Sequence, residues 1–224
     1  MASPNWDAIS VRHAMNISDP AAGAVATGNG LRWTSAQRDS HINAAVRRWM
    51  LKHVSAGKKK EEQGLDASIN WEALSGYLNE EAQSLVANVK TLASWTGGVA
   101  HIIGAYDTTT SVPIKSFTGR NRFFTGTGGN QYLLAGLANL FYVLDAASIR
   151  VIGSAATDSI TLRYVKQHTD LSANGASDIV VPSAFWHQIQ DLAFKVAAEE
   201  TGEADKLQVA ALKEQVIDKE IGLV

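Results

Sequence analysis

The sequence contains no cysteine and no long apolar run, and both absences narrow what the protein can be. The lack of cysteine excludes disulfides, thiolate nucleophiles and cysteine metal ligands, and fits assembly in a reducing cytoplasm. No stretch reaches the roughly 18 apolar residues that a membrane span requires, and no basic segment leads into an apolar one near the N-terminus. We therefore expect neither secretion nor membrane insertion. The chain has 224 residues, 46% hydrophobic and 19% charged, which fits a globular domain or a core domain with an insertion.

The sequence also lacks the residue patterns of catalysis and of metal or cofactor binding. None of the six histidines has another three or four residues away, so no helix face offers paired imidazoles for zinc. The Gly-rich segment FTGTGGN, 124–130, lacks the Gly-Lys-Ser/Thr ending of a phosphate loop. In a helix, the two carboxylates of an adjacent pair point to different sides, so neither Glu80–Glu81 nor Glu199–Glu200 provides a shared acid and base. We expect no enzyme, no metal and no cofactor.

Charge is unevenly distributed along the chain, although the net charge is only −2. Residues 1–60 contain nine basic and three acidic side chains, whereas residues 176–224 contain four basic and nine acidic ones. Opposite charge at the two ends could orient copies of the chain against one another or against a partner. Solvated helix faces explain the same distribution equally well.

The helix signal after residue 30 is the most informative local pattern. Thr34 is placed to cap a helix that begins at Ser35, and Gln37 completes a capping box. The spacing of the apolar residues predicts a buried face that carries Ile42, Val46, Trp49, Met50 and His53. We expect this helix to end near Ser55, with Lys58 to Lys60 in an exposed turn.

The remaining patterns predict an α+β protein that is mainly α, a helical bundle with an inserted small antiparallel β-sheet. Its helical core comprises 1–96 and 176–224, and the β-rich insertion 97–170, all within one domain, 1–224. Four further helices are expected, together with strands in five segments of the insertion. The helices are Ser3 to Asn16, Asn70 to Ser94, a start at Pro182 or Ser183 with an end at Thr201, and Glu203 to Ile221; the strand segments are GVAHIIGAYD, SVPIKSF, LFYVLD, SIRVIG and DSITLRYVKQ.

Two of these helices carry further expectations. The long helix from Asn70 to Ser94 should pack lengthwise against the helix that begins at Ser35. The last helix has apolar residues on a broad face, which include Val209, Leu212 and Val216. It could therefore contact two surfaces, one of them on another molecule, or pack on both sides within the bundle.

Three short motifs occur in an order that resembles the head-to-tail adaptor proteins of short-tailed bacteriophages. The first is Arg-Trp-Thr followed by a helix that contains Ile-Asn-Ala-Ala, here residues 32–45. The second is the strand Leu162 to Val165, Leu-Arg-Tyr-Val. The third is Val181–Pro182 followed by Trp186–His187. Together the motifs extend over nearly the whole chain.

The resemblance implies a structural virion protein of the neck, assembled in the host cytoplasm. Such adaptors form a ring of twelve copies below the portal protein, extend the DNA channel and provide the attachment platform for the tail nozzle or tail-tube protein. Packaged DNA passes through without sequence-specific binding. Because a C-terminal segment of such proteins commonly reaches the portal, we expect an apolar portal-binding set at the end of the chain: Ile217, Ile221, Leu223 and Val224.

A basic set supports a second hypothesis from a different class of protein. Its members lie in or just after the helix that begins at Ser35, where they could face a neighbouring subunit or DNA: Arg48, Lys52, Lys58, Lys59 and Lys60. With Arg47, this region could make a DNA-binding or packaging accessory protein. Another neck or tail-tube component is a further alternative.

Overall fold

A computed structural model describes residues 35–116, 141–145, 147–152, 159–171 and 179–223 of the chain. Several sequence predictions fall outside these ranges. They are the helix from Ser3 to Asn16, the Thr34 cap, the Gly-rich segment 124–130 and the role of Val224.

The described helices and strands alternate along the chain in three blocks: helices, then strands, then helices. The helices are α1 (Ser35–Glu62), α2 (Ser68–Ala73), α3 (Trp186–Thr201) and α4 (Ala204–Ile221). The strands are β1 (Leu78–Ser84), β2 (Val89–Thr91), β3 (Val99–Asp107), β4 (Lys115–Ser116), β5 (Phe141–Asp145), β6 (Ser148–Ile152) and β7 (Ser159–Lys166). The fold is thus α+β and mainly α, a helical bundle with an inserted small antiparallel sheet, as the sequence predicts.

The chain divides into two compact units, a helical unit (1–77 with 168–224) and a β unit (78–167). The sequence places the start of the β-rich insertion at residue 97. The β unit begins earlier because 78–91 contains two strands, β1 and β2, where a helix is predicted.

The helical unit is built around α1, whose predicted buried face is confirmed. Ile42, Val46, Trp49, Met50 and His53 are all buried. They are covered mainly by α3, which in turn packs against α4. Helix–helix packing of this kind buries an apolar stripe that a lone helix would expose to water.

Helix α1 continues to Glu62, beyond the predicted end near Ser55. The sequence signal for an end is Gly57, which is buried. A Cβ atom at Gly57 would lie 2.7 Å from the indole ring of Trp71, and the same indole donates a hydrogen bond to Glu61 Oε1 at 2.8 Å. Gly57 therefore serves close packing against α2 within a continuous helix, and the prediction that Lys58 to Lys60 form an exposed turn is wrong.

The predictions for α3 and α4 are confirmed. A 3-10 turn at Ser183–Phe185 leads into α3, and α4 begins one residue after the predicted start, with Glu203 at its N-cap. Both helices end on a glycine in the left-handed conformation, Gly202 and Gly222, respectively, which is the usual way to close a helix C-terminus.

The β unit contains a three-stranded antiparallel sheet in the order β1-β7-β3 and a four-stranded sheet in the order β2-β6-β5-β4. All pairs in the second sheet are antiparallel except β4 with β5. In β7, Ile160, Leu162 and Tyr164 are buried, and the intervening residues Thr161 and Arg163 are half-buried, as side chains that alternate along a strand require. The same alternation places Val165 with Thr161 and Arg163, but Val165 is buried as well. These side chains join a core with Trp95 and other buried residues, among them Ile102, Ala105, Ile149 and Val151.

The predicted helix from Asn70 to Ser94 is wrong. Only α2 is helical in its first part, and β1 instead pairs with β7 from Leu78 opposite Val165 to Ser84 opposite Ser159. Leucines of this segment are buried without a helix, since Leu85 and Leu92 pack against the core of the β unit. Pairing along one edge of β7 outweighs the helix propensity of this segment, which contains leucine, glutamate, alanine and glutamine, a common outcome when tertiary contacts compete with local preference.

A tight turn at Val86–Val89 follows β1 and holds two residues in the left-handed conformation. Val86 and Val89 exchange both backbone hydrogen bonds at 3.0 Å, and between them Ala87 and Asn88 have φ of 50° and 63°. Positive φ at both central residues is the geometry of a type I′ turn. Asparagine tolerates that conformation, whereas alanine is strained in it.

We expect Ala87→Gly to stabilise the protein by about 0.5–1 kcal/mol, because relief of the left-handed strain exceeds the added freedom of the unfolded chain. Urea unfolding followed by circular dichroism measures the change. The matched control is Ala82→Gly, at an exposed position of β1. This substitution should destabilise the protein by a similar amount. A loss of stability in both variants would contradict the assignment of strain to Ala87.

Within the described ranges, no helix combines the length and the apolar character needed to cross a bilayer.

Candidate interaction surfaces

Helix α1 holds a buried polar network that joins three helices of the helical unit. The amide oxygen of Gln188 accepts hydrogen bonds from Trp49 Nε1 at 2.8 Å and from His53 Nε2 at 3.0 Å. The amide nitrogen of Gln188 donates to Glu220 Oε2 at 2.9 Å, and His187 Nε2 lies 3.0 Å from the same oxygen. His53 is thus a hydrogen-bonded core residue and His187 a hydrogen-bonded residue at the surface. Burial lowers the pKa of His53 to about 4, so the network is built for a neutral imidazole.

The arginine and lysine in the middle of α1 bind carboxylates on the neighbouring helices. Arg48 donates to Glu199 at 2.6 Å, and this contact raises the Arg48 pKa. Lys52 lies 2.6 Å from Asp218 and 3.0 Å from Glu214. Burial acts to lower the pKa of Lys52, but the two carboxylates outweigh it and the pKa is raised.

Arg47, at the N-terminal edge of the basic set, also forms an ion pair, with Asp170. The cations of this set therefore contribute to the cohesion of the helical unit, and each surface pair is worth at most about 1 kcal/mol.

The three consecutive lysines lie in the last turns of α1 and have different environments. Burial lowers the pKa of Lys58. Lys59 Nζ donates to the carbonyl oxygen of Leu223 at 2.9 Å, and Lys60 Nζ donates to Asn70 Oδ1 at 2.9 Å. Two of the three thus contact other segments of the helical unit.

The predicted portal-binding set also belongs largely to the interior. Ile217 is 1% exposed and Ile221 is 2% exposed, so neither side chain is available at the surface. Leu223 is half-buried. Because Ile217 and Ile221 face inward from α4, Leu223 is the one described member of this set that keeps part of its surface exposed.

The structure brings the two predicted sets together, which the sequence analysis did not foresee. Asn70 is the link: it accepts from Lys60 and donates through Nδ2 to the carbonyl oxygen of Ile221 at 3.1 Å. The carbonyl group of Ile221, at the C-terminus of α4, thus receives an amide, and the carbonyl group of Leu223, just beyond the helix, receives an ammonium group. Positive charge at a helix C-terminus is favourable. We call Lys59, Lys60, Asn70 and Ile221–Leu223 the C-terminal junction.

We expect Gly222→Ala to destabilise the protein by about 1.5–2 kcal/mol. Left-handed φ accounts for about 1 kcal/mol, and the loss of the Lys60 hydrogen bond for about 0.5–1 kcal/mol, because a Cβ at Gly222 would lie 2.6 Å from Lys60 Cε. Gly202→Ala is the matched control: its φ is 66° and no atom lies within 4 Å of its Cβ position. Chemical denaturation of both variants should show the larger loss for Gly222→Ala, and equal losses would contradict a role for Lys60.

The outer face of α4 is an exposed apolar stripe. Val209, Leu212 and Val216 are 47%, 57% and 55% exposed, and their spacing places them on one side of the helix. Ala210, Ile217 and Ile221 are buried on the other side. The broad apolar face predicted for this helix is therefore divided between an internal contact and a solvent-exposed stripe.

The described residues contain no group of three or more histidine, aspartate or glutamate side chains that could hold a metal ion. The adjacent glutamates diverge: Glu80 accepts from Tyr106 and Glu81 accepts from the backbone of Thr96, while Glu199 contacts Arg48 and Glu200 contacts His41. These carboxylates do not converge on a common point.

Asn70 and Gln188 are the important residues that sequence reasoning missed. Each is buried and joins segments far apart in the chain. No local spacing identifies such a residue, because its partners are determined by packing.

No family model matches the chain, and no curated protein matches it.

Proposed function

We propose that this chain is a structural virion protein, a head-to-tail adaptor of a short-tailed bacteriophage. Copies of it form a ring, twelve in number, below the portal protein. The ring extends the DNA channel and provides the attachment platform for the tail nozzle or tail-tube protein. In this proposal the protein acts through contact surfaces and performs no catalysis, and packaged DNA passes it without sequence-specific recognition.

The observation that carries the proposal is the position of the three motif segments in the fold. The described part of the first, 35–45, lies on α1 and the third leads into α3, and these helices pack together through Trp49, His53 and Gln188. The second, Leu162 to Val165, lies in β7, the central strand of the three-stranded sheet. The described parts of the motif segments thus contribute to the cores of both units. The residues that carry the resemblance are therefore residues that build the fold.

The architecture itself supports the same proposal. The resemblance implies a helical bundle with a β-rich insertion, and this chain has a helical unit interrupted by a β unit. A ring component needs surfaces that bind neighbours, and exposed apolar side chains are a source of such surfaces. Leu51, Leu65 and Ile69 are about half exposed.

The contacts of the basic set weigh against the DNA-binding alternative. Arg47, Arg48 and Lys52 form ion pairs with carboxylates of the same unit. Neutralised cations release few counterions from DNA, and counterion release supplies most sequence-blind affinity.

The experiment that tests the proposal is to mix the purified protein with purified portal rings and image the mixture by negative-stain electron microscopy. An added ring on one face of the portal is the expected result, with the protein present in purified particles by mass spectrometry. An unchanged portal, together with absence from particles and a gel shift on DNA at about 0.1 M salt, would overturn the proposal in favour of a DNA-binding protein.

The portal-binding residues can be tested more sharply than by removing the end of the chain, since Ile217 and Ile221 are core residues. We expect Leu223→Ser with Val224→Ser to reduce portal binding at least about tenfold, a loss of about 1.4 kcal/mol. The matched control is Leu51→Ser, an exposed leucine on α1. Equal portal binding by all three proteins would show that docking uses another surface.

A further inference from the structure

The exposed stripe of α4 ends in an acidic residue on one side and a basic residue on the other, and these charges indicate its partner. Asp205 precedes Val209 by four residues, and Lys219 follows Val216 by three, so both charges continue the line of the apolar side chains. Both are exposed, and neither forms an ion pair within the described residues. The stripe therefore consists of an acidic end, three apolar side chains and a basic end.

This order is self-complementary when read in opposite directions. Leu212 lies at the centre, Val209 and Val216 flank it, and Asp205 and Lys219 terminate the stripe. Two copies placed antiparallel would set Asp205 of each against Lys219 of the other and would align the valines around a central pair of leucines. A parallel arrangement would instead set Asp205 against Asp205 and Lys219 against Lys219.

We propose that the outer face of α4 binds the same face of a second copy of this chain in an antiparallel, two-fold symmetric contact. Alternating spacings of four and three residues keep the five side chains on one helix face, as in helix pairs that pack side by side. A two-fold contact requires a patch that is complementary to itself. The stripe is complementary to itself in the signs of its two charges and in the order of its side chains. Antiparallel helices also bring opposite ends of their dipoles together.

The expected association is weak. Three half-exposed side chains form a patch smaller than the roughly 800 Å² per partner that stable complexes bury. We therefore expect a reversible dimer with a dissociation constant of roughly 0.1–1 mM. The proposal goes beyond the adaptor function, because it concerns the free protein and requires no portal.

Sedimentation equilibrium of the full chain, from about 10 µM to about 1 mM, tests the proposal. The apparent mass should rise with concentration from that of the 24.0 kDa chain toward a dimer. Leu212→Asp should lower the association constant at least about tenfold. Leu51→Asp, at an exposed position of α1, should leave it unchanged. A protein that stays monomeric throughout, as it would if the stripe served only the portal or a tail protein, or a dimer indifferent to Leu212→Asp, would overturn the proposal.

The orientation has its own test, which uses only exposed positions. Asp205→Lys and Lys219→Asp should each weaken self-association, because each places like charges opposite one another. An equimolar mixture of the two variants should associate again, since every charged pair across the antiparallel contact is then opposite in sign. Circular dichroism is the control that checks whether both variants are folded. Failure of the mixture to exceed the separate variants would overturn the proposal.

Discussion

Gln188→Leu should lower the free energy of unfolding by about 2–4 kcal/mol, the largest effect that we expect from one substitution of a polar side chain. Leucine fills a similar volume but accepts no hydrogen bond. Trp49 Nε1 and His53 Nε2 both donate to Gln188 Oε1 and would be left buried without an acceptor. Each orphaned donor costs about 1–3 kcal/mol, because water does not reach this part of the helical unit.

Urea unfolding at neutral pH, followed by circular dichroism, measures this loss. His187→Ala is the matched control from the same network: His187 is exposed and contacts only Glu220 in it, so its removal should change stability by no more than about 0.5 kcal/mol. Similar losses in the two variants would show that the buried amide does not hold the three helices together.

The second large effect is a loss of stability in acid that depends on two histidines, the buried His53 and the half-buried His168. Burial lowers the pKa of both His53 and His168 to about 4. His168 Nε2 donates to Asn43 Oδ1 at 3.1 Å and Nδ1 accepts from Tyr77 Oη at 3.2 Å, so both ring nitrogens suit the neutral form. His53 Nδ1 has no hydrogen-bond partner among the described residues, and protonation there would bury an unpaired charge.

The sign of the effect follows from the direction of the shifts. The folded pKa lies below the ordinary value of 6.5, so the unfolded state binds protons more readily. The stabilisation is complete above about pH 6.5 and is lost progressively as the pH falls toward 4. Each histidine should account for about 2–3 kcal/mol between these limits.

Unfolding free energies measured across that pH range would test the prediction. His53→Gln should remove about half of the pH dependence, because glutamine cannot gain a proton. The exposed control His187→Gln should retain the slope of the original protein. If the curves for His53→Gln and the original protein are parallel between pH 6.5 and 4, the buried histidine is not the source of the acid sensitivity.

The sequence predicts best where a single periodic segment supplies its own signal. The buried face of α1 and the end of α3 at Thr201 are confirmed because each follows from signals within one element. Prediction fails over 70–94, where the leucine spacing suits a helix but β7 offers a strand pairing. A pairing partner more than 70 residues away leaves no mark in a local window.

The same distinction applies to the candidate surfaces. Lysines 58–60 and the apolar residues after Glu214 are evident in the sequence as two separate sets, one basic and one apolar. Their meeting at Asn70, and the inward direction of Ile217 and Ile221, depend on how α1, α2 and α4 pack. A lysine that could bind a phosphate in isolation instead stabilises a neighbouring helix end.

The sequence by itself determined the class of fold, the position of three of the four described helices and the order of the three motifs on which the proposed resemblance to phage adaptors depends. Tertiary structure alone decided which cations are neutralised, which side of α4 stays exposed and whether residues 78–91 become strands. The physical reason is that periodicity and capping are properties of a few consecutive residues. Burial and pairing depend instead on groups that only the folded chain brings within contact distance.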